Sequence, residues 1–166
     1  MDESPPGAVP GPAEGAGCGR TEDDLGRVLA VDYGERRVGL AISDPTGTIP
    51  TPLPVLRRRR GQRPPVAKIT QIARERHATA LAVGLPLTMD GGESEWTREV
   101  RSFGERLARR TGLTLHWVDE RLTSVEAERA VRASGLPRAK REQKERIDAA
   151  AAMIILQRFL AERSDG

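Results

Sequence analysis

The chain has 166 residues, with 27 Lys and Arg against 24 Asp and Glu, a formal net charge of +3. That length provides one well-buried core and excludes a two-lobed enzyme of kinase size. With 37% hydrophobic and 31% charged residues, no apolar run near the ~18 residues of a membrane span, no basic-then-apolar leader and a single cysteine, Cys18, the expectation is a soluble cytoplasmic protein with neither disulfides nor a thiolate metal site.

Residues 1–26 contain four prolines, six glycines, six acids and one base. So little apolar surface cannot offset the entropy of ordering, and the segment reads as a disordered acidic tail. The rest of the chain carries 26 bases and 18 acids, a basic body suited to a polyanion partner.

From Val28 the pattern changes. Val28–Asp32 reads as a buried strand ending in an acid, Tyr33-Gly34-Glu35 as a turn, and Val38–Ile42 as a strand pairing antiparallel with the first. Thr48–Leu56 reads as an edge strand, because Pro50, Pro52 and Pro54 remove donors at alternate positions. Val66, Ile69, Ile72 and Ala73 share a helical face, and Leu81–Leu85 is a strand closed by Pro86. Trp96, Val100, Phe103 and Leu107 mark a helix stopping at Thr111-Gly112, and Leu113–Asp119 is the last strand. A capping box at Thr123–Glu126 opens a helix through Ala133, and a final helix runs from about Lys144 to Glu162. The order βββαβαβαα predicts an α/β fold with a mixed sheet covered by helices on both faces.

Four carboxylates fall in apolar or constrained surroundings: Asp32, Asp119, Glu120 and Asp148. Asp32 ends the first strand, Asp119-Glu120 the last, and Asp148 shares a helical face with Ala151, Ala152 and Ile155. A desolvated acid needs a counter-ion or a proton. Three acids at strand ends and on an inward helical face suit a divalent cation, since hard Mg²⁺ prefers carboxylate oxygen. Two such ions about 3.5–4 Å apart can activate a water and bridge a phosphodiester. Each acid also has a local alternative: Asp32 capping a turn, Glu120 pairing with Arg121, and Asp148 pairing with Lys144.

At these residues the sequence closely resembles the YqgF family, bacterial ribonuclease-H-like proteins described as Holliday junction resolvases or as pre-16S rRNA nucleases. The resemblance rests on Leu29-Ala-Val-Asp-Tyr-Gly-Glu-Arg-Arg-Val-Gly-Leu-Ala41, Val83-Gly-Leu-Pro-Leu-Thr-Met-Asp-Gly91, Asp119-Glu-Arg-Leu-Thr-Ser124, and Lys144-Glu-Arg-Ile-Asp-Ala-Ala-Ala-Ala152 running into Ile154–Gln157. Four ordered motifs spanning Val28 to about Leu160 make the match specific. It implies a ribonuclease-H-like five-stranded sheet, three strands antiparallel and then two parallel, in a nuclease domain of residues 27–163. It further implies that Asp32, Glu120 and Asp148 are catalytic and bind Mg²⁺ or Mn²⁺.

Around these acids, Arg57, Arg58, Arg59, Arg60 and Arg63 form a loop whose like charges repel unless a polyanion is present, so it reads as a phosphate-backbone contact. Arg121 reads either as a clamp on the scissile phosphate or as an ordinary ion pair, and Lys144 as a phosphate contact or the counter-ion of Asp148. Gly34 and Gly39 read as turn glycines or as points of close backbone approach, and Thr123 as a helix cap. Met89–Gly92 reads as a turn more readily than as a mobile lip of the groove. His77 and His116 have no metal-type spacing, and Trp96 and Trp117 read as core. The resulting expectation is a metal-dependent nuclease, monomer or homodimer, that processes pre-16S rRNA in ribosome biogenesis. The alternatives are cleavage of four-way DNA junctions, a noncatalytic RNA-binding assembly factor and, because Asp32-Tyr33-Gly34 resembles a phosphate loop, a nucleotide-clasping ATPase, which the missing second lobe disfavours.

Overall fold

The structure, a computed structural model, describes residues 26–59, 61–121 and 140–164, with side chains from residue 145 onward in the last segment. The expected tail through residue 25, the capping-box helix with Thr123, Arg60 and the Lys144 side chain lie outside the described residues. Five strands, β1 (Arg27–Tyr33), β2 (Arg37–Ser43), β3 (Pro50–Arg57), β4 (Ala78–Leu85) and β5 (Thr114–Asp119), form one sheet in the order β3-β2-β1-β4-β5. β1–β2 and β2–β3 are antiparallel, whereas β1–β4 and β4–β5 are parallel, as a ribonuclease-H-like sheet requires. The helices are α1 (Val66–Glu75), α2 (Glu95–Thr111) and α3 (Lys140–Ser164).

β1 and β2 are apolar almost throughout because helices cover both of their faces. Odd-numbered β1 residues Leu29, Val31 and Tyr33 pack under α1 and α2 with Val66, Ile69, Val100, Phe103 and Leu107. Even-numbered Val28 and Ala30, with Ala41, Ala80, Ala82 and Val118, pack under Ala152, Ile155, Leu156 and Phe159 of α3. This alternation, the two-residue period of a strand, assigns Asp32 to the α3 side.

β3 sits on the sheet edge, with Pro52 and Pro54 exposed and Leu53 buried. α2 opens with a Ser94–Thr97 capping box and stops at Gly112, φ 71°, whose N–H bonds to the Ala108 carbonyl. α1 ends without a glycine: His77 takes the left-handed conformation, φ 55°, and β4 begins at once, Ala78 pairing with Arg27. β4 is therefore three residues longer at its start than its apolar run announces. Both tryptophans pack against the core. Tyr33 stacks on Phe103 (centroids 4.1 Å apart) and on Trp96 (5.5 Å). Trp117 lies on α2 where Gly104 has no side chain; a Cβ there would sit 2.5 Å from the ring. None of the described helices is long and apolar enough to cross a membrane.

Candidate active site

The carboxyl ends of β1 and β5 lie either side of β4. Continuing the register of Val31 with Val83 puts Asp32 beside Gly84, and the Glu120 N–H bonds to the Leu85 carbonyl at 3.0 Å. Glu120 follows Val118 on the α3 face, so its side chain crosses over β4 toward Asp32. It crosses at Gly84: a Cβ there would stand 2.8 Å from Glu120 Oε2 and 2.6 Å from Ile155 Cδ1. The two carboxyl groups meet in a hydrogen bond.

Burial raises the pKa of both. For Asp32 the largest cause is desolvation, to which the charge of Asp148 adds, while the hydrogen bond from Glu120 pulls the other way. For Glu120 desolvation again leads, and the bond to Asp32 and its charge raise it further. Glu120 is accordingly the member that keeps a proton and donates it to Asp32. Two like carboxyl groups in contact, away from water and without a cation, share one proton.

Asp148 comes in from α3. Gly39, paired with Asp32 across β1 and β2, lets that helix approach, because a Cβ at 39 would lie 2.9 Å from the Asp148 carbonyl carbon. Gly39 is thus a point of close approach, whereas Gly34 closes the β1–β2 turn by donating to the Arg37 carbonyl at 2.9 Å. Asp148 is within electrostatic reach of Asp32, but its carboxylate is bound by Arg37 Nε at 2.5 Å. Among the described residues no three His, Cys, Asp or Glu side chains close into a metal-holding cluster. Asp32 and Glu120 are brought together, and Asp148 stands next to them in the grip of an arginine. Arg121 pairs not with Glu120 but with its other neighbour Asp119, Nη2 to Oδ2 at 2.6 Å, and with the Met89 carbonyl at 3.4 Å. Glu120 therefore lacks the local counter-ion that adjacency in sequence suggested. The Thr88–Gly92 segment is a hydrogen-bonded turn.

Next to Asp148 opens a groove of about 640 Å³ lined by Arg36, Arg37, Arg57, Arg58, Arg59, Gln62 and Glu145. Arg57 pairs with Glu145 and keeps 54% of its side chain exposed. Arg59 is exposed, and so is Arg63 on the same loop. Arg58 differs: only 7% of its side chain is exposed. It bonds to Tyr33 Oη and, at 2.7 Å, to the Glu35 carbonyl, and it lies 4.5 Å over the Tyr33 ring. It fixes the groove wall and is not available to a partner in the way its place in the arginine run suggested. Arg36 and Arg37 were not singled out from the sequence because they are not contiguous with that run. The hairpin register that sets Arg37 opposite Arg57 brings them together.

Acids at the carboxyl ends of β1 and β5, on either side of β4 in a mixed α/β sheet, with a third on the covering helix beside a cationic groove, define a ribonuclease-H-like protein of nuclease type. The fold is shared with Thermus thermophilus RuvC in complex with Holliday junction substrate, TM-score 0.53 at 18% identity over 84% of this chain and 96% of that one. A second T. thermophilus RuvC structure gives TM-score 0.50 at 17% identity, over 83% and 96%. The family model RuvX, described as Holliday junction resolvase, matches residues 26–162. A Clavibacter sepedonicus protein named "Putative pre-16S rRNA nuclease" is 45% identical over 143 residues, 86% of this chain and 88% of that protein. One of the same name from Koribacter versatilis is 40% identical over 138 residues, 83% and 88%. The chain belongs to the RuvX (YqgF) family.

Proposed function

We propose that this protein is a divalent-metal-dependent nuclease that processes the precursor of 16S rRNA, with residues 27–163 as the catalytic domain. The observation that carries the reading is the buried Asp32–Glu120 pair, two hard oxygen donors with no cationic partner among the described residues, beside a third acid, Asp148. Such a donor set fits Mg²⁺ or Mn²⁺ and fits a soft metal badly. Asp32, Glu120 and Asp148 would hold the ion, which supplies Lewis-acid polarisation and neutralises charge building up on the phosphate.

The chain's own residues prepare that step. Gly84 and Gly39 leave the space in which the three acids approach, and α3 excludes water from the pair. Asp32 and Glu120, sharing one proton, together supply a single buried negative charge to the site. Arg57, Arg59 and Arg63 attract the nucleic-acid backbone, and Arg58 stiffens the wall they stand on. The names of the curated relatives favour a ribosomal RNA precursor. The description of the family model favours the second reading, a four-way DNA junction.

Purified wild type and Asp32→Asn are incubated with a 16S rRNA precursor and with a four-way junction, in Mg²⁺, Mn²⁺ or chelator. The proposal expects cation-dependent cleavage of the precursor by wild type alone. Cleavage of the junction only would select the second reading. Equal products from both proteins, or none from either, would overturn the nuclease assignment.

A further inference from the structure

The acids and the groove share one residue. Arg37 is the counter-ion of Asp148 at 2.5 Å and also lines the arginine groove, with about a quarter of its side chain exposed. Its neighbour Arg57 makes the equivalent bond one helical turn earlier, to Glu145, an acid outside the proposed metal set. The two arginines face each other across β2 and β3 and grip α3 at i and i+3, but only one occupies a site carboxylate.

A guanidinium and a divalent cation on the same carboxylate repel each other at short range, and a partly buried setting screens that repulsion little. Asp148 therefore has two competing partners. When a cation takes it, the guanidinium loses its partner at the mouth of a groove whose other lining includes Arg36, Arg57 and Arg59. The acid that also lines this groove, Glu145, is already paired with Arg57, so the new partner that suits a planar fork of N–H donors there is a phosphate oxygen.

We infer that Arg37 is an exchange residue, resting on Asp148 in the metal-free protein and released by the cation to bind a backbone phosphate of the substrate. The inference rests on the metal site proposed above. It makes loading of the cation and tightening on nucleic acid one event, so that Arg37 is a substrate-positioning residue and not a cation ligand. It also explains why the site is held together without metal: the ion pair keeps α3 seated while Asp32 and Glu120 share their proton.

The test measures Mn²⁺ binding by calorimetry without nucleic acid, and binding of an RNA duplex with and without Ca²⁺, in wild type, Arg37→Gln, Arg57→Gln and Asp32→Asn. Arg37→Gln should bind Mn²⁺ at least about threefold more tightly than wild type, because a competing positive charge is gone. RNA binding by wild type should strengthen with the cation, and Arg37→Gln should lose that gain. Arg57→Gln should weaken RNA binding equally with and without the cation, leave Mn²⁺ affinity unchanged, and control for loosening of α3. Unchanged or weaker Mn²⁺ binding by Arg37→Gln, or a cation-dependent gain that survives the substitution, would overturn the exchange while leaving the metal site standing. Failure of wild type to bind Mn²⁺ more tightly than Asp32→Asn would overturn the metal site and the exchange together.

Discussion

The two faces of the sheet are built from the same strands and solve different problems. Under α1 and α2 the alternating residues of β1, β2 and β4 meet apolar and aromatic side chains without interruption, from Leu29 and Val31 to the stack of Tyr33 on Phe103. Under α3 the layer starts the same way, with Val28 and Ala30, and then changes to Asp32, Gly39, Gly84 and Glu120 at the strand ends. One face is closed by burial that stabilises the fold. The other surrenders part of that stability, because its last row holds two desolvated carboxyl groups, one of them in the space left by the missing Cβ of Gly84, while the missing Cβ of Gly39 admits the α3 backbone at Asp148. The lesson is that alternation along a single strand can divide labour, odd positions supporting the fold and even positions ending in chemistry.

The contrast is broken most severely by removing the charge on the even side. Asp32→Asn should lower cation-dependent cleavage at least about a thousandfold, about 4 kcal/mol of transition-state stabilisation, with circular dichroism unchanged and chelator-treated protein melting no lower than wild type. On the odd side, Phe103→Ala should cost about 3 kcal/mol or more of folding stability in urea denaturation, while the fraction that stays folded keeps its specific activity. Gly84→Ala sharpens the comparison because it puts one methyl group where Glu120 and Ile155 already stand. A loss of about 2 kcal/mol in stability is expected, accompanied, unlike at Phe103, by weaker Mn²⁺ binding per folded molecule.

A further contrast concerns pH. In the folded, metal-free protein Glu120 is pushed up to about 10 from an ordinary 4.5, by burial first and by Asp32 second. Above about 4.5 the unfolded chain has lost this proton and the folded chain still holds it, so unfolding releases a proton. Stability in chelator should therefore fall as pH rises from about 4.5 toward 10. Glu120→Gln should flatten that slope in denaturation curves taken from pH 5 to 9, and an unaltered slope would locate the titrating group elsewhere.

Much of this was legible in the residue order. The runs Val28–Asp32 and Val38–Ile42, the alternating prolines of β3 and the Thr111-Gly112 stop of α2 carry their structure locally, so the described strands and helices lie where patterning predicts them. The stop of α1 was not legible, because His77 performs a turn that glycine usually signals. Partners across elements were not legible either. Sequence adjacency offered Arg121 to Glu120, whereas the fold sends Arg121 to Asp119; it also delivers Arg37 from β2 to Asp148 on α3, an approach that no local spacing announces, while the Lys144 side chain lies outside the described residues. Arg58 looked like a phosphate contact by composition and is locked against Tyr33 by packing. Charge type can be read from a sequence, but which charges remain available depends on contacts that only the assembled sheet creates.

On the proposed reading, the buried Asp32–Glu120 pair takes a divalent cation as its partner. The most direct measurement is the melting temperature of wild type and Asp32→Asn during a Mn²⁺ titration at neutral pH. Wild type should gain stability as the metal saturates, and Asp32→Asn, at least as stable as wild type without metal, should gain none. A parallel rise in both proteins, or no rise in wild type, would contradict that reading.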